Sequence, residues 1–152
     1  DGIKVIEYNA RFGDPEAMNV LSILESDFLS VCLSMVAGKL EKQEVCFEKV
    51  ATVCKYVVPV GYPNNPLSGF EVLCDQKDSS LFLASVMLKD DKLIACGSRT
   101  AAVVGKDKDI WKAESLAEQG TSKIIGNLFH RKDIGTKKLI NSRVKRMKGL
   151  LE

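Results

Sequence analysis

The spacing of hydrophobic positions changes several times along this chain, and each change predicts an element. The opening run Ile3-Lys4-Val5-Ile6-Glu7-Tyr8-Asn9 is rich in β-branched and aromatic residues, which predicts a strand. Gly13-Asp14-Pro15-Glu16 then predicts a helix start. Asp14 is placed to cap the free N–H groups, Pro15 suits the first helical position, and Glu16 favours the positive end of the dipole. Met18, Leu21 and Leu24 follow at helical spacing. Ser26 is placed to cap a second helix, in which Phe28, Cys32, Met35 and Val36 form an apolar stripe that Leu29, Leu33 and Leu40 widen. So wide a stripe predicts a largely buried helix ending near Gly38.

After a charged connection, residues 50–60 read as one long strand. Two prolines and two asparagines within residues 61–66 require a loop. Further strands are predicted over 81–88, 92–96 and 99–105, the first two joined as a hairpin at Lys89-Asp90-Asp91. Asp107 or Asp109 is placed to cap a helix running through Trp111, Leu116, Ile124 and Leu128, with Gly120 weakening its middle. A last helix follows Gly135-Thr136. Helix, helix, strands, helix is the order of an α+β domain. The first strand has no sequence neighbour to pair with, so the chain reads as a segment of a longer protein.

Composition narrows the class without deciding it. With 152 residues, 45% hydrophobic and 28% charged, the chain is an ordinary globular domain. No apolar run approaches the roughly 18 residues of a membrane span, and the N-terminus lacks the basic-then-apolar order of a secretory signal. A cytoplasmic location is expected. The five cysteines are odd in number, never form Cys-x-x-Cys, and mostly have apolar neighbours. Reduced thiols acting as small hydrophobes are expected. His130 is the only histidine, so zinc is not expected. The net charge of +2 implies no polyanionic partner, although the segment after His130 concentrates basic residues (Lys137, Lys138, Arg143, Lys145, Arg146 and Lys148 among them). Without interleaved aromatics that run reads as a solvated helix face, and nucleic acid is not an expected partner.

Chemistry concentrates at the start. In a strand continuing to Arg11, Glu7, Asn9 and Arg11 project from one face. A carboxylate beside an amide oxygen offers hard ligands for Mg²⁺, and Arg11 adds a donor fork for phosphate or carboxylate. By itself the pattern also fits a plain amphipathic strand.

Glu-x-Asn-x-Arg resembles the closing metal motif of ATP-grasp enzymes. Biotin carboxylases continue with Gln-Val-Glu-His, whereas here Phe12-Gly13-Asp14-Pro15-Glu16 follows. The whole run from Glu7 to Glu16 resembles the phosphoribosylamine–glycine ligases (glycinamide ribonucleotide synthetases). The resemblance continues in order through Glu25-Ser26-Asp27-Phe28-Leu29, Gly38-Lys39-Leu40, Lys49-Val50-Ala51-Thr52-Val53-Cys54, Gly61-Tyr62-Pro63 and Phe129-His130-Arg131-Lys132-Asp133-Ile134-Gly135. It departs at Asn64-Asn65-Pro66, at Leu83-Ala84-Ser85-Val86, where many members have His-Ala-Gly-Thr, and at Cys96-Gly97-Ser98-Arg99, where Gly-Gly-Arg is common. Arg99 is kept.

The resemblance implies an α+β architecture. The last ATP-grasp strand and its helices (1–48) are followed by a small mixed C-terminal domain (49–152), with an antiparallel sheet and flanking helices. It implies an ATP-dependent ligase of de novo purine biosynthesis that joins glycine to 5-phosphoribosylamine through glycyl phosphate. Glu7 and Asn9 are then ligands of Mg²⁺ or Mn²⁺. Arg11 is the catalytic residue at the transferred phosphoryl group, Asp14 and Arg99 contact substrate, and Asp14 keeps its alternative as a helix cap. The ATP pocket and the rest of the ATP-grasp domain are expected upstream, so the isolated chain is expected to be inactive. Two other readings stay open: another ATP-grasp carboxylate–amine ligase, and a small binding module using the basic helix.

Overall fold

The computed structural model describes residues 4–151. The chain folds as two compact units, Asp1–Lys49 and Val50–Glu152.

The first unit holds helices α1 (Glu16–Leu21) and α2 (Phe28–Val36) and a single 3₁₀ turn at Leu40–Lys42. The expected opening strand begins at Ile3, outside the described residues, and from Lys4 to Asn9 the chain is not a strand. A strand exists only where its N–H and C=O groups meet a neighbour, and none of the described residues pairs with this run. At α1 the expected cap also shifts. Pro15 occupies the N-cap position with no side-chain cap bond, so Asp14 lies one residue outside it. The helix stops at Leu21 because the following residues pair elsewhere. Leu24 bridges Phe47, while Glu25 N–H donates to the Cys46 carbonyl at 3.0 Å and Glu48 N–H to that of Ile23 at 2.8 Å.

In α2 the cap is Asp27 rather than Ser26. Its Oδ1 accepts from Ser30 N–H at 2.6 Å, and the hydrogen bonds from Ser30 hold the Asp27 carboxyl below the usual carboxylate range. Ser26 Oγ instead accepts from Cys46 N–H at 2.8 Å. The helix closes in a Schellman turn. Gly38 takes φ +64°, and Lys39 N–H reaches back to the Ser34 carbonyl at 2.9 Å. The expected burial of α2 is not observed: Leu29, Leu33 and Val36 are 65%, 60% and 89% exposed. Periodicity says that a face is apolar, not which polypeptide covers it, and residues 4–49 do not supply a second layer.

The second unit is antiparallel throughout its sheets. Its strands are β1 (Ala51–Pro59), β2 (Glu71–Val72), β3 (Leu81–Leu83), β4 (Val86–Lys89), β5 (Lys92–Ala95), β6 (Ala101–Asp107) and β7 (Leu128–His130). One sheet has the order β3-β6-β1-β7 and the other β2-β5-β4. The hairpin at residues 89–92 forms as expected, with Asp90 and Asp91 at φ 49° and 60°, the left-handed pair that a type I′ turn requires. The strand expected over 81–88 divides, however, and its halves join different sheets. At the division Ala84 N–H donates to the Thr100 carbonyl at 3.0 Å and Ser85 N–H to that of Arg99 at 2.9 Å. The chain bends there while its backbone groups stay paired, so the apolar run shows no interruption. Strands β2 and β7 were not anticipated, because two or three residues are too few to display alternation.

Helix α3 (Ile110–Ser122) takes Asp109 as its cap, with Trp111 N–H on Asp109 Oδ1 at 2.7 Å. It ends before Ile124 and Leu128, which the periodicity had included. Ile125 and Leu73 exchange hydrogen bonds of 2.9 Å and draw the chain away. Gly120 serves close approach: a Cβ there would lie 2.5 Å from Val103 Cγ1. A Cβ on Gly105 would overlap the Ala113 carbonyl oxygen. These two glycines let α3 settle closely on β6, against backbone at Gly105 and against the Val103 side chain at Gly120. Helix α4 (Lys137–Leu151) carries the basic run.

One face of β1 organises the core. Val53 packs with Ala113 and Ala117 of α3, while Val57 packs with Val72, Leu93, Ala95, Ala101, Val103 and Ile124, where the second sheet meets the first. Between Val53 and Val57 on that same face lies Lys55, whose side chain is 0% exposed. Its Nζ donates to Glu114 Oε1 at 2.6 Å, to Glu118 Oε2 at 2.7 Å and to the Lys132 carbonyl at 3.1 Å. Three ammonium donors thus meet three acceptors. His130 Nε2 stands 3.1 Å from both Glu118 oxygens, and because a carboxylate only accepts, Nε2 carries the proton. Burial pushes the Glu118 carboxyl up, but the Lys55 and His130 hydrogen bonds outweigh it and hold the group below its ordinary value.

Two expectations follow for stability. Lys55→Met keeps most of the aliphatic stem but leaves two carboxylates facing an apolar tip. It is expected to cost about 3 kcal/mol, the lower end for a broken buried pair, because both glutamates retain some contact with water. Urea unfolding of the 152-residue chain measures this, and wild-type stability would show that the ammonium holds nothing. Glu118, with its lowered folded value, contributes stability that is present above the ordinary glutamate range and lost as pH falls through the folded value. Urea midpoints followed from pH 7 downward should therefore fall less steeply for Glu118→Gln than for the parent chain.

Candidate active site

The three residues picked out at the start of the chain do come together, although not on a strand. Arg11 Nη1 donates to Asn9 Oδ1 at 2.9 Å and to the Phe12 carbonyl at 3.1 Å, and Asn9 Nδ2 donates to Glu7 Oε1 at 3.4 Å. Carboxylate, amide and guanidinium thus form one hydrogen-bonded row, and all three are exposed. The bonds orient the amide: Asn9 turns its oxygen toward Arg11 and its nitrogen toward Glu7. A carbonyl oxygen has two lone pairs, so the contact with Arg11 leaves acceptor capacity on Oδ1. Close behind the row, Phe12 and Phe28 meet with ring centroids 5.9 Å apart and planes tilted by 54°, fastening the segment to the start of α2. Asp14 follows, exposed, at the entry to α1.

Among the described residues, no three His, Cys, Asp or Glu side chains cluster at metal-binding spacing. Glu7 and Asn9 are two hard oxygen ligands in a row, which suits an ion completing its shell from phosphates and water and does not suit an all-protein cage.

Arg99 belongs to the second unit. It lies on the link between β5 and β6, and its Cζ stands 5.5 Å from the centroid of the Tyr56 ring on β1. Sequence reasoning picked out Arg99 but missed Tyr56, Lys55, Glu114 and Glu118. Two signals were present: one charged residue inside the β-rich run 50–60, and two glutamates four apart on one helix face.

The class of protein follows from the fold. The chain is similar to the crystal structure of phosphoribosylamine–glycine ligase from Thermotoga maritima, with a TM-score of 0.73 and 26% identity over 86% of this chain and 33% of that one. The fold is therefore that of a ligase's C-terminal portion. Sequence comparison narrows this. The family profile "Phosphoribosylglycinamide synthetase, C domain" matches residues 52–137, and the chain belongs to that family. Curated relatives carrying the name phosphoribosylamine–glycine ligase include that of Methanococcus maripaludis strain C5, 51% identical over 155 residues, which is 99% of this chain and 35% of the relative. That of Methanocaldococcus jannaschii is 50% identical over the same shares. The chain spans about a third of the length of the curated relatives it matches. Of the readings the sequence left open, this ligase family is the one the comparisons bear out. No helix among the described residues is long and apolar enough to cross a membrane.

The five thiols differ in access. Cys54 is buried, Cys32, Cys46 and Cys74 are half-buried, and Cys96, three residues before Arg99, is exposed. Cys96 is the exception to the mostly apolar settings read from the sequence. The Glu44 charge raises the Cys46 thiol and burial raises that of Cys74, so both hold less thiolate at neutral pH. Brief treatment of the folded chain with a maleimide, read by peptide mass mapping, should label Cys96 first and Cys54 only after unfolding. Equal labelling of all five would contradict this ranking.

Proposed function

We propose that this chain is the closing portion of a cytoplasmic phosphoribosylamine–glycine ligase, which joins glycine to 5-phosphoribosylamine with consumption of ATP in de novo purine biosynthesis. The observation that carries the proposal is residue identity of about half across nearly the whole chain with enzymes of that name. In this reading residues 1–48 end the ATP-grasp domain and residues 49–152 form the C-terminal domain. The exposed apolar faces of α1 and α2 are then packing surfaces for the rest of the ATP-grasp domain.

The chemistry has two transfers. The glycine carboxylate takes the terminal phosphoryl group of ATP, giving glycyl phosphate and ADP. The amine of phosphoribosylamine then attacks the acyl carbon, an amide bond forms, and inorganic phosphate leaves. Positioning and charge compensation dominate such a reaction. Glu7 and Asn9 would hold Mg²⁺ or Mn²⁺. The bound ion would offset phosphate charge. Arg11 presents a guanidinium to the transferred phosphoryl oxygens, and its bond to Asn9 ties that fork to the ligand row. Asp14, exposed one residue beyond the helix cap, is assigned to a polar group of the substrate. Arg99 is assigned to the substrate phosphate.

The test is Glu7→Gln in the full-length enzyme, which keeps the size of the side chain and removes its charge. Turnover at limiting Mg²⁺ should fall about a hundredfold or more, with partial recovery at high Mg²⁺ and an unchanged melting temperature. Wild-type turnover at limiting Mg²⁺ would remove Glu7 from the metal site.

A further inference from the structure

We propose that Arg11, besides meeting the transferred phosphoryl group, latches the pair Glu7–Asn9 in the nucleotide-free enzyme by holding the Asn9 amide turned away from an ion. This role rests on the assignment of Glu7 and Asn9 to the metal. Two hard oxygens serve one ion together only when both face it. In the row as it stands, the Asn9 edge turned toward Glu7 carries nitrogen, with Nδ2 3.4 Å from Glu7 Oε1, and the oxygen edge is turned to Arg11. The hydrogens on Nδ2 repel a cation that approaches the Glu7 carboxylate from that side. Turning the amide over would bring Oδ1 to Glu7, but it would also set Nδ2 against Arg11 Nη1, donor against donor. The guanidinium must leave before the oxygen can turn.

The latch is anchored yet weak, the two properties an exchange requires. Nη1 carries two hydrogens, one for Asn9 Oδ1 at 2.9 Å and one for the Phe12 carbonyl at 3.1 Å, and the Phe12 ring is fastened to Phe28 of α2. Of the two bonds on the amide, that from Arg11 lies in the normal range, whereas the 3.4 Å contact with Glu7 is long. Arg11 therefore sets the orientation. All three side chains are exposed, and a net hydrogen bond of this kind shifts an equilibrium only about three- to tenfold. Phosphoryl oxygens carry formal charge and bind a guanidinium more strongly than a neutral amide does. ATP thus draws Arg11 off Asn9 as it brings the phosphates on which the ligand pair depends. The pair is guarded against free ion and opened by nucleotide.

Mn²⁺ titrations of the nucleotide-free, full-length enzyme, with unbound ion counted by electron paramagnetic resonance, test this without turnover. Arg11→Met keeps the stem and removes the donors, and Arg11→Ala removes both. Each should bind Mn²⁺ about three- to tenfold more tightly than the parent. The gain should persist in about 1 M KCl, where a Debye length of ~3 Å screens simple repulsion between exposed charges. With saturating ATP and no glycine, after allowance for Mn²⁺ held by free ATP, the gain should vanish, because the parent's guanidinium has then left Asn9. Equal or weaker nucleotide-free binding by the Arg11 variants would overturn the latch. So would a gain lost at high salt, which is charge repulsion alone, or a gain that survives saturating ATP. In the Arg11→Met background Glu7→Gln should abolish the gain. A gain that Glu7→Gln leaves intact would place the ion elsewhere, removing the metal assignment and the latch with it.

Discussion

A lysine ammonium with no access to water must find every acceptor it needs inside the protein, and Lys55 imposes that demand at the centre of the second unit. It meets it from three separate elements: β1 carries the charge, α3 brings Glu114 and Glu118, and the segment after β7 brings the Lys132 carbonyl. Desolvating such a charge is costly unless the geometry is good and all its protons are placed. The network therefore gives little margin to alternative packings of α3 or β7. A shift of α3 by one residue would carry both glutamates off the ammonium. Replacing Lys55 with an apolar residue would have made a plainer core that distinguishes less sharply between neighbouring registers of α3.

The two glycine contacts work with that network. Gly105 lets the α3 backbone approach β6, and Gly120 makes room for the Val103 side chain, a close packing that favours the reach of the glutamate side chains to a lysine rooted in the sheet. His130 then extends the polar line to β7 through Glu118. That places it directly before the Arg131–Asp133 pair, whose guanidinium meets the carboxylate at 2.6 and 3.1 Å. The run from His130 to Gly135, one of the landmarks of the family resemblance, thus has a structural role. It is the segment whose backbone and side chain complete the burial of a charge.

The two units differ in how far they satisfy themselves. The second has its own core between α3 and β1 and between its two sheets. The first has one side-chain cap, a Schellman turn and a short two-stranded contact, but many of its apolar side chains stay open. Its polar row of Glu7, Asn9 and Arg11 is internally bonded and equally open. Local interactions at chain level have preset these side chains relative to one another, and the chain spans about a third of the length of its curated relatives.

Some features were legible from sequence because their cause is local. The turn at Asp90-Asp91, a cap at Asp107 or Asp109, the strand 51–59 and the helix carrying the basic run each depend on a few adjacent residues. The Glu7-Asn9-Arg11 spacing likewise anticipated three side chains in one row, which side-chain hydrogen bonds hold together. The family, too, was readable from ordered motifs. Tertiary structure decided what depends on distant partners. It split the run 81–88 between two sheets at residues 84 and 85, where Arg99 and Thr100 supply the acceptors. It ended α3 at Ser122 because Leu73 captures Ile125, and it left the opening segment without a ladder. It also gave Lys55 a meaning that composition could not: a charge inside an apolar strand reads as an interruption until the helix 59 residues away places two carboxylates on it.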